Sequence, residues 1–269
     1  MTLRNLAVRG VSLCNSTCFC ASFASLRENN YSRYSLKQGI CRVARARKKI
    51  MKNPQFRRRL CSVFDVLHTH HGPQHWWPGE TPFEIMAGAV LTQNTAWSNV
   101  EKAIENLAAR SKLSPAAIVA ARKDHLAGWL RPSGYFNVKA ARLKNFCRWY
   151  LQAGGFGPLD RLDTGELRLA LLGVNGVGRE TADDILLYAF GRPVFVIDTY
   201  TRRLFARLGL FDGGEDYDAM RLAIEQALGP DVSLFNEYHA LIVRHAKDIC
   251  RVRPRCAECV LKQRCPSAQ

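Results

Sequence analysis

The chain has 269 residues, 47% of them hydrophobic, which is enough to bury a full core as one large domain or two modest ones. No apolar run approaches the roughly 18 residues that span a bilayer, so a membrane-spanning class is excluded and a soluble protein is expected. The 39 Lys and Arg against 23 Asp and Glu give a formal charge of +16, a balance that favours polyanions such as nucleic acid.

Part of that charge belongs to residues 1–50, which hold ten basic residues and one acid, Glu28, leaving +7 for the rest of the chain. Ser, Arg and Asn dominate this segment, Cys14, Cys18, Cys20 and Cys41 are scattered through it, and no amphipathic period persists. It reads as disordered or foreign to the folded domain. An Arg-rich, Ser-rich, acid-poor leader fits an organelle transit peptide, yet Met51-Lys52-Asn53-Pro54 looks like an ordinary start. The expectation is a misplaced start codon and a protein of the cytoplasm or nucleoid.

From Met51 onward the chain reads as successive helices with almost no strand alternation. His75-Trp76-Trp77-Pro78 concentrates aromatic surface ahead of a helix start at Thr81-Pro82-Phe83-Glu84. That start combines a capping hydroxyl, Pro at the first helical position and a reciprocal Glu three residues on. Trp97 falls in a helical stripe with Val100, Ile104 and Leu107, so it suits either an ordinary core or a pocket wall. Ser114-Pro115 opens a further helix, Asn137–Leu151 carries apolar residues at three- and four-residue steps, and Asp163-Thr164-Gly165-Glu166 repeats the capping box. Gly176-Val177-Gly178 then joins two helical runs. Such a turn leaves amide N–H groups free at a helix start, where a phosphate oxygen can bind, although alone it is only a helix connection. Asp198 precedes the helical run Thr199–Leu208 and reads as its N-cap.

Near the C-terminus Cys250, Cys256, Cys259 and Cys265 lie close together among Arg251, Arg253 and Arg255. Thiolates at these intervals can wrap a 4Fe-4S cluster. Tetrahedral zinc is the rival for the same residues, though all-cysteine zinc more often shows two C-x2-C pairs.

Taken together, Gly176-Val177-Gly178, the Asp198-Thr199 pair about 20 residues later and the terminal cysteines resemble the helix-hairpin-helix (HhH-GPD) DNA glycosylases of the endonuclease III superfamily. Val90-Leu91-Thr92-Gln93-Asn94-Thr95 looks like that family's first barrel helix and Ser133–Ala140 like its central helix start, so the likeness runs over about residues 60–265. It implies an all-α, two-lobed fold, with a helical barrel at 79–190 and a second lobe joining 52–78 to 191–269 and carrying a 4Fe-4S loop. It also implies a monomer acting on double-stranded DNA that contains a damaged base. By the same resemblance, Asp198 is the catalytic carboxylate, which stabilises charge on the sugar or activates water. Gly176, Val177 and Gly178 bind phosphate, Gln93 fills the gap left by a flipped nucleotide, and Arg251, Arg253 and Arg255 approach the DNA backbone.

Two departures from the family stand out. Glu180 occupies the position where bifunctional members place a Schiff-base lysine, which predicts base removal without strand cleavage. The Cys250–Cys256 spacer holds five residues where the family usually has six. Trp76, Trp77 and Trp97 resemble the 3-methyladenine DNA glycosylase III branch, in which aromatic rings sandwich a cationic alkylated purine. Two alternatives stay open: an endonuclease III-like lyase on oxidised pyrimidines that recruits another amine such as Lys139, and a silent DNA-binding module. No chemistry attaches to Tyr238 or His239, and His239 reads as a satisfied helix residue.

Overall fold

The computed structural model describes residues 54–77 and 79–269, and the expectations for residues 1–50 lie outside them. Every regular element among the described residues is helical. No helix there is long and apolar enough to cross a membrane.

The chain opens with α1 (Pro54–His71), followed by α2 (Pro82–Leu91), α3 (Trp97–Ala108), α4 (Pro115–Ala120), α5 (Lys123–Trp129) and α6 (Phe136–Gln152). Then come α7 (Phe156–Asp160), α8 (Thr164–Leu172), α9 (Arg179–Asp184), α10 (Thr199–Arg207), α11 (Tyr217–Leu228) and α12 (Val232–Asp248). The starts follow the sequence punctuation. Thr81 Oγ1 accepts from the Glu84 amide, Ser114 Oγ from Ala117, and Asp163 with Glu166 forms a complete capping box. At the first of these, however, Glu84 accepts from the amide of Glu80 and not from that of Thr81, so the reciprocal half of the box is displaced by one residue.

Two apolar cores form. Met86, Val90, Leu107, Leu143, Phe146 and Leu171 belong to the first, built mainly from α2–α8. Leu60, Leu67, Phe205, Ile224, Phe235 and Leu241 belong to the second, built from α1 and α10–α12. Each fully buried Leu or Phe contributes about 1.5–3 kcal/mol. Helix α9 passes directly into a wide π turn, Ile185–Ala189. Ile185 and Leu186 face the first core while Leu187 and Tyr188 face the second. Trp77 packs against both.

An ion-pair network also crosses between the helices of the two cores. Arg168 on α8 grips Asp183 at 2.6 Å and Asp218 on α11 at 2.7 Å, while Arg221 reaches Asp218 at 3.4 Å and Glu225 at 2.9 Å. The Asp183 side chain is fully buried, which costs several kcal/mol in desolvation unless partners of this kind are present.

Candidate active site

The segment that delivers Asp198 is extended and buried, with Val194, Phe195, Val196 and Ile197 all at 2% exposure or less. A buried backbone without a neighbouring strand must find other partners. The Phe195 amide donates to Glu225 Oε1 at 2.9 Å and the Ile197 amide to the Tyr217 hydroxyl at 3.4 Å. The chain then turns into α10, where Asp198 Oδ1 accepts from the Thr201 amide at 2.7 Å. The capping role read from the sequence is therefore present, and it fixes the carboxylate.

Asp198 is 8% exposed. Burial alone would raise its pKa, but His239 and the Thr201 amide outweigh burial and hold the carboxyl below the usual aspartate range. Its other oxygen, Oδ2, lies 3.6 Å from His239 Nε2, and His239 Nδ1 is 2.5 Å from the Tyr188 hydroxyl. Glu180, at the first turn of α9, is solvent-accessible. Even so, desolvation in the cleft, reinforced by the charge of Asp198, pushes its carboxyl up to about 7. One turn further on, burial first and then Glu180, Asp198 and Asp183 push Asp184 far above the carboxylate range. The site thus sets an ionised Asp198 beside two carboxyls that hold their protons more readily, a division that suits distinct acid and base roles.

The three predicted tryptophans are together. The Trp77 and Trp97 rings are 4.8 Å apart, edge to face, and Trp76 lies 5.8 Å from Trp77 and 6.2 Å from Trp97. Trp97 also packs on the first core and closes against Gly88, where a Cβ would come within 3.2 Å of its ring, as the core reading expects. The Nε1 atoms of all three indoles are buried without a hydrogen-bond partner, an uncommon state for polar groups. Tyr188 lies 4.9 Å from Trp77 and so connects this aromatic cluster to His239 and Asp198.

The hairpin precedes α9. Gly176 adopts φ +99°, and any Cβ there would collide with the Arg142 side chain, so both the backbone and the close approach demand glycine. Gln93 Nε2 donates to the Gly176 carbonyl and to Thr181 Oγ1, each at 3.0 Å, while Arg142 donates to Gln93 Oε1. In this structure, then, the Gln93 amide staples the hairpin to the end of α2 and is not free. Tyr135, just ahead of α6, is 72% accessible, with a left-handed backbone at φ +44°. Lys139 is 1% exposed and donates to the Ser133 carbonyl, and burial with Arg142 lowers it to about 8. It anchors the loop that presents Tyr135.

With this geometry in place, comparison with known proteins decides the family. Residues 87–230 match the model of the HhH-GPD superfamily base excision DNA repair proteins. The chain belongs to that superfamily. It is 42% identical over 222 residues to a provisionally named DNA repair glycosylase of Methanocaldococcus jannaschii, covering 81% of this chain and all of that one. It is also 29% identical over 187 residues to endonuclease III of Haemophilus influenzae, covering 69% and 83%. Among solved structures, H. pylori 3-methyladenine DNA glycosylase bound to 1,N6-ethenoadenine superposes with TM-score 0.61 at 31% identity, covering 72% of this chain and 96% of that one. An endonuclease III–DNA complex superposes with TM-score 0.69, covering 79% and 96%, and its 21% identity speaks for the fold alone. The protein is accordingly an all-α DNA repair glycosylase of the HhH-GPD superfamily, with DNA as its partner.

The four C-terminal cysteines of the sequence reading come together. Cys250, Cys256, Cys259 and Cys265 are free thiols that line one cavity together with Leu204, Leu208, Ile249 and Leu261. Burial pushes the thiols of Cys259 and Cys265 up. Two arginines absent from the sequence reading hold the loop. Arg203 donates to the Cys250 and Ala246 carbonyls, and Arg207 to those of Arg251 and Val252, with its guanidinium 3.3 Å from Cys250 Sγ. Arg251, Arg253 and Arg255 are exposed, and Val252 between the first two is 80% accessible. Among the described residues, the one ion pair that these three form is Arg255 with Glu258, at 3.8 Å.

Proposed function

We propose that the protein removes alkylated purines from duplex DNA by hydrolysis, leaving an abasic site without cutting the strand. The observation that carries this reading is the three-tryptophan cluster joined through Tyr188 to the carboxylate Asp198. Indole faces attract a cationic alkylated base by about 0.5–2 kcal/mol more than a neutral one. Their buried, unpartnered N–H groups leave donors for a base rotated out of the duplex. The 31% identity to a 3-methyladenine glycosylase supports the same substrate class.

In this reaction the hairpin amides and the exposed loop arginines hold the backbone, while Gln93 braces the hairpin from the end of α2. As the glycosidic bond lengthens, ionised Asp198 stabilises the positive charge that develops on the sugar. Glu180, which exchanges its proton near neutral pH, takes a proton from the attacking water or supplies one to the departing base. A carboxylate cannot form an imine with C1′, and Lys139 is enclosed, so this site offers no amine for the lyase alternative.

The cysteine residues fit a 4Fe-4S cluster better than zinc. Their thiols line one cavity, and they include a single C-x2-C pair, Cys256 and Cys259, where all-cysteine zinc more often shows two. Cys250, Cys256, Cys259 and Cys265 would hold the cluster, with Arg207 offsetting thiolate charge at Cys250. Bound there, the cluster would act as a structural tie for the DNA-facing loop.

The test is incubation with duplexes carrying either N7-methylguanine or an oxidised pyrimidine, with borohydride present in parallel. Alkali-dependent breaks in the methylated duplex with no trapped adduct support the reading. Alkali-independent breaks and a trapped adduct overturn it.

A further inference from the structure

The reading above gives Asp198 the charge-stabilising role and leaves unexplained why a buried carboxylate should be backed by two further buried polar side chains. His239 on α12 is 5% exposed and Tyr188 on the π turn 9%. Among the described residues neither side chain makes a hydrogen bond elsewhere: the Tyr188 hydroxyl meets His239 Nδ1 at 2.5 Å, and His239 Nε2 has no hydrogen-bond partner there and points at Asp198 Oδ2 from 3.6 Å. Tyr188 keeps its proton, because burial holds it well above the usual phenol range. A Tyr O–H donated to Nδ1 leaves the ring proton on Nε2, facing the carboxylate, the tautomer that a negative neighbour favours. At 3.6 Å the contact is too long for a formed hydrogen bond, and such contacts commonly tighten when substrate is bound.

We propose that Tyr188 and His239 are positioning residues for Asp198: Tyr188 fixes the imidazole tautomer, and His239 orients the carboxylate and keeps it charged as the base leaves. Because Tyr188 also walls the aromatic cluster against Trp77, the relay links the seat of the base to the group that assists its departure. This inference rests on the catalytic reading of Asp198, and its test separates the two.

Single-turnover base release from the N7-methylguanine duplex is measured across pH for the full chain and for Asp198→Asn, Tyr188→Phe, His239→Gln, His239→Leu and Tyr188→Phe/His239→Leu, with duplex affinity measured in parallel. The charged and titratable groups facing Asp198 are Glu180, Asp184 and Tyr188 from the α9 segment, His239 from α12, and Arg202 on α10 beside Glu180. Of these, His239 is the one whose removal leaves burial to dominate. His239→Leu should slow release roughly 10²-fold with little change in affinity, and should move the acidic limb of the rate profile upward by about a pH unit or more. His239→Gln, which restores an N–H donor, should recover part of the rate. Tyr188→Phe, which removes one oxygen and threatens folding least, should cost about tenfold, and the double variant should be no slower than His239→Leu alone, because both act through one relay. An unmoved acidic limb in His239→Leu, or additive losses in the double variant, would overturn the inference. Unchanged release by Asp198→Asn would instead remove the catalytic reading beneath it.

Discussion

Replacing Asp198 separates two roles that one carboxylate fills. Its Oδ1 caps α10 by accepting the Thr201 amide at 2.7 Å, and its charge is assigned to the sugar. Asparagine is as good an N-cap as aspartate, so Asp198→Asn should keep the cap and change folding stability by no more than about 0.5 kcal/mol. Alanine loses both, and should lower stability by about 1 kcal/mol or somewhat more. The catalytic loss is a different quantity. A unit negative charge about 4 Å from a developing positive centre, in a site with an effective dielectric near 20, is worth about 4 kcal/mol, and a carboxylate only 8% exposed is weakly screened. That corresponds to a roughly 10³-fold slower base release for both variants. The measurements are single-turnover release scored by alkaline cleavage, urea unfolding, and affinity for a duplex with an abasic-site analogue, which should change little. Release by Asp198→Asn within about threefold of the unaltered protein would refute the electrostatic argument. Equal stability losses for Asn and Ala would refute the capping one.

Glu180→Gln should be more thermally stable than the unaltered protein at neutral pH. The Glu180 carboxyl rises from its ordinary 4.5 to about 7 on folding, so the folded state binds the extra proton and the penalty for ionising it grows as pH rises from about 4.5 to 7. The side chain is accessible to water, so screening reduces the gain to ~1 kcal/mol; paired melts at pH 4.5 and 7.5 read it, and a constant difference would count against it. Arg168→Ala should lose ~3–5 kcal/mol in urea unfolding, because the Asp183 side chain, fully buried, would be left charged without its bidentate partner. Adding Asp183→Asn should restore part of that loss, and purely additive losses would contradict it. Cys265→Ser should abolish the brown absorption near roughly 400 nm expected of an iron-sulfur protein, and persistence of that colour would exclude this ligand set.

The sequence displayed elements whose signals are local. Capping residues at Thr81, Ser114, Asp163 and Asp198 announced helix starts because the capping bond closes within three residues, and the Gly176-Val177-Gly178 turn announced itself because only glycine tolerates its backbone. What stayed hidden depended on contacts across long stretches of chain. His239 lies 41 residues from Asp198 and 51 from Tyr188, and within the apolar run of α12 it looked like a residue satisfied by its own helix. Arg203 and Arg207 carried no local signal, because their partners are loop carbonyls more than 40 residues on. The Gln93 amide was assigned outward to DNA, and the structure turns it inward because Arg142 and the hairpin carbonyl offer it both an acceptor and a donor partner. The ion-pair network of Arg168 and Arg221 was equally unreadable, since its members come from three separate helices, α8, α9 and α11.

Glu180 also allows the proposed division of labour to be reversed. If this position faces C1′ of the sugar, Glu180→Lys places an amine where the imine must form. Its pKa would be set by opposing influences: desolvation would lower it, while the nearby charge of Asp198 would raise it and hold the ammonium protonated. Trapping should therefore be weak near pH 6 and should strengthen as the pH rises and the free amine becomes available. The expected result is a borohydride-trapped protein–DNA adduct and alkali-independent breaks in Glu180→Lys, both abolished by adding Asp198→Asn if the carboxylate is needed to release the base first. Supplying a duplex with a preformed abasic site bypasses that first step, and Glu180→Lys/Asp198→Asn should then regain the adduct. A folded Glu180→Lys protein that still binds this duplex and forms no adduct at any pH would mean that Glu180 points away from the sugar. The lack of a lyase step under the proposed function would then have to rest on something other than the identity of this side chain.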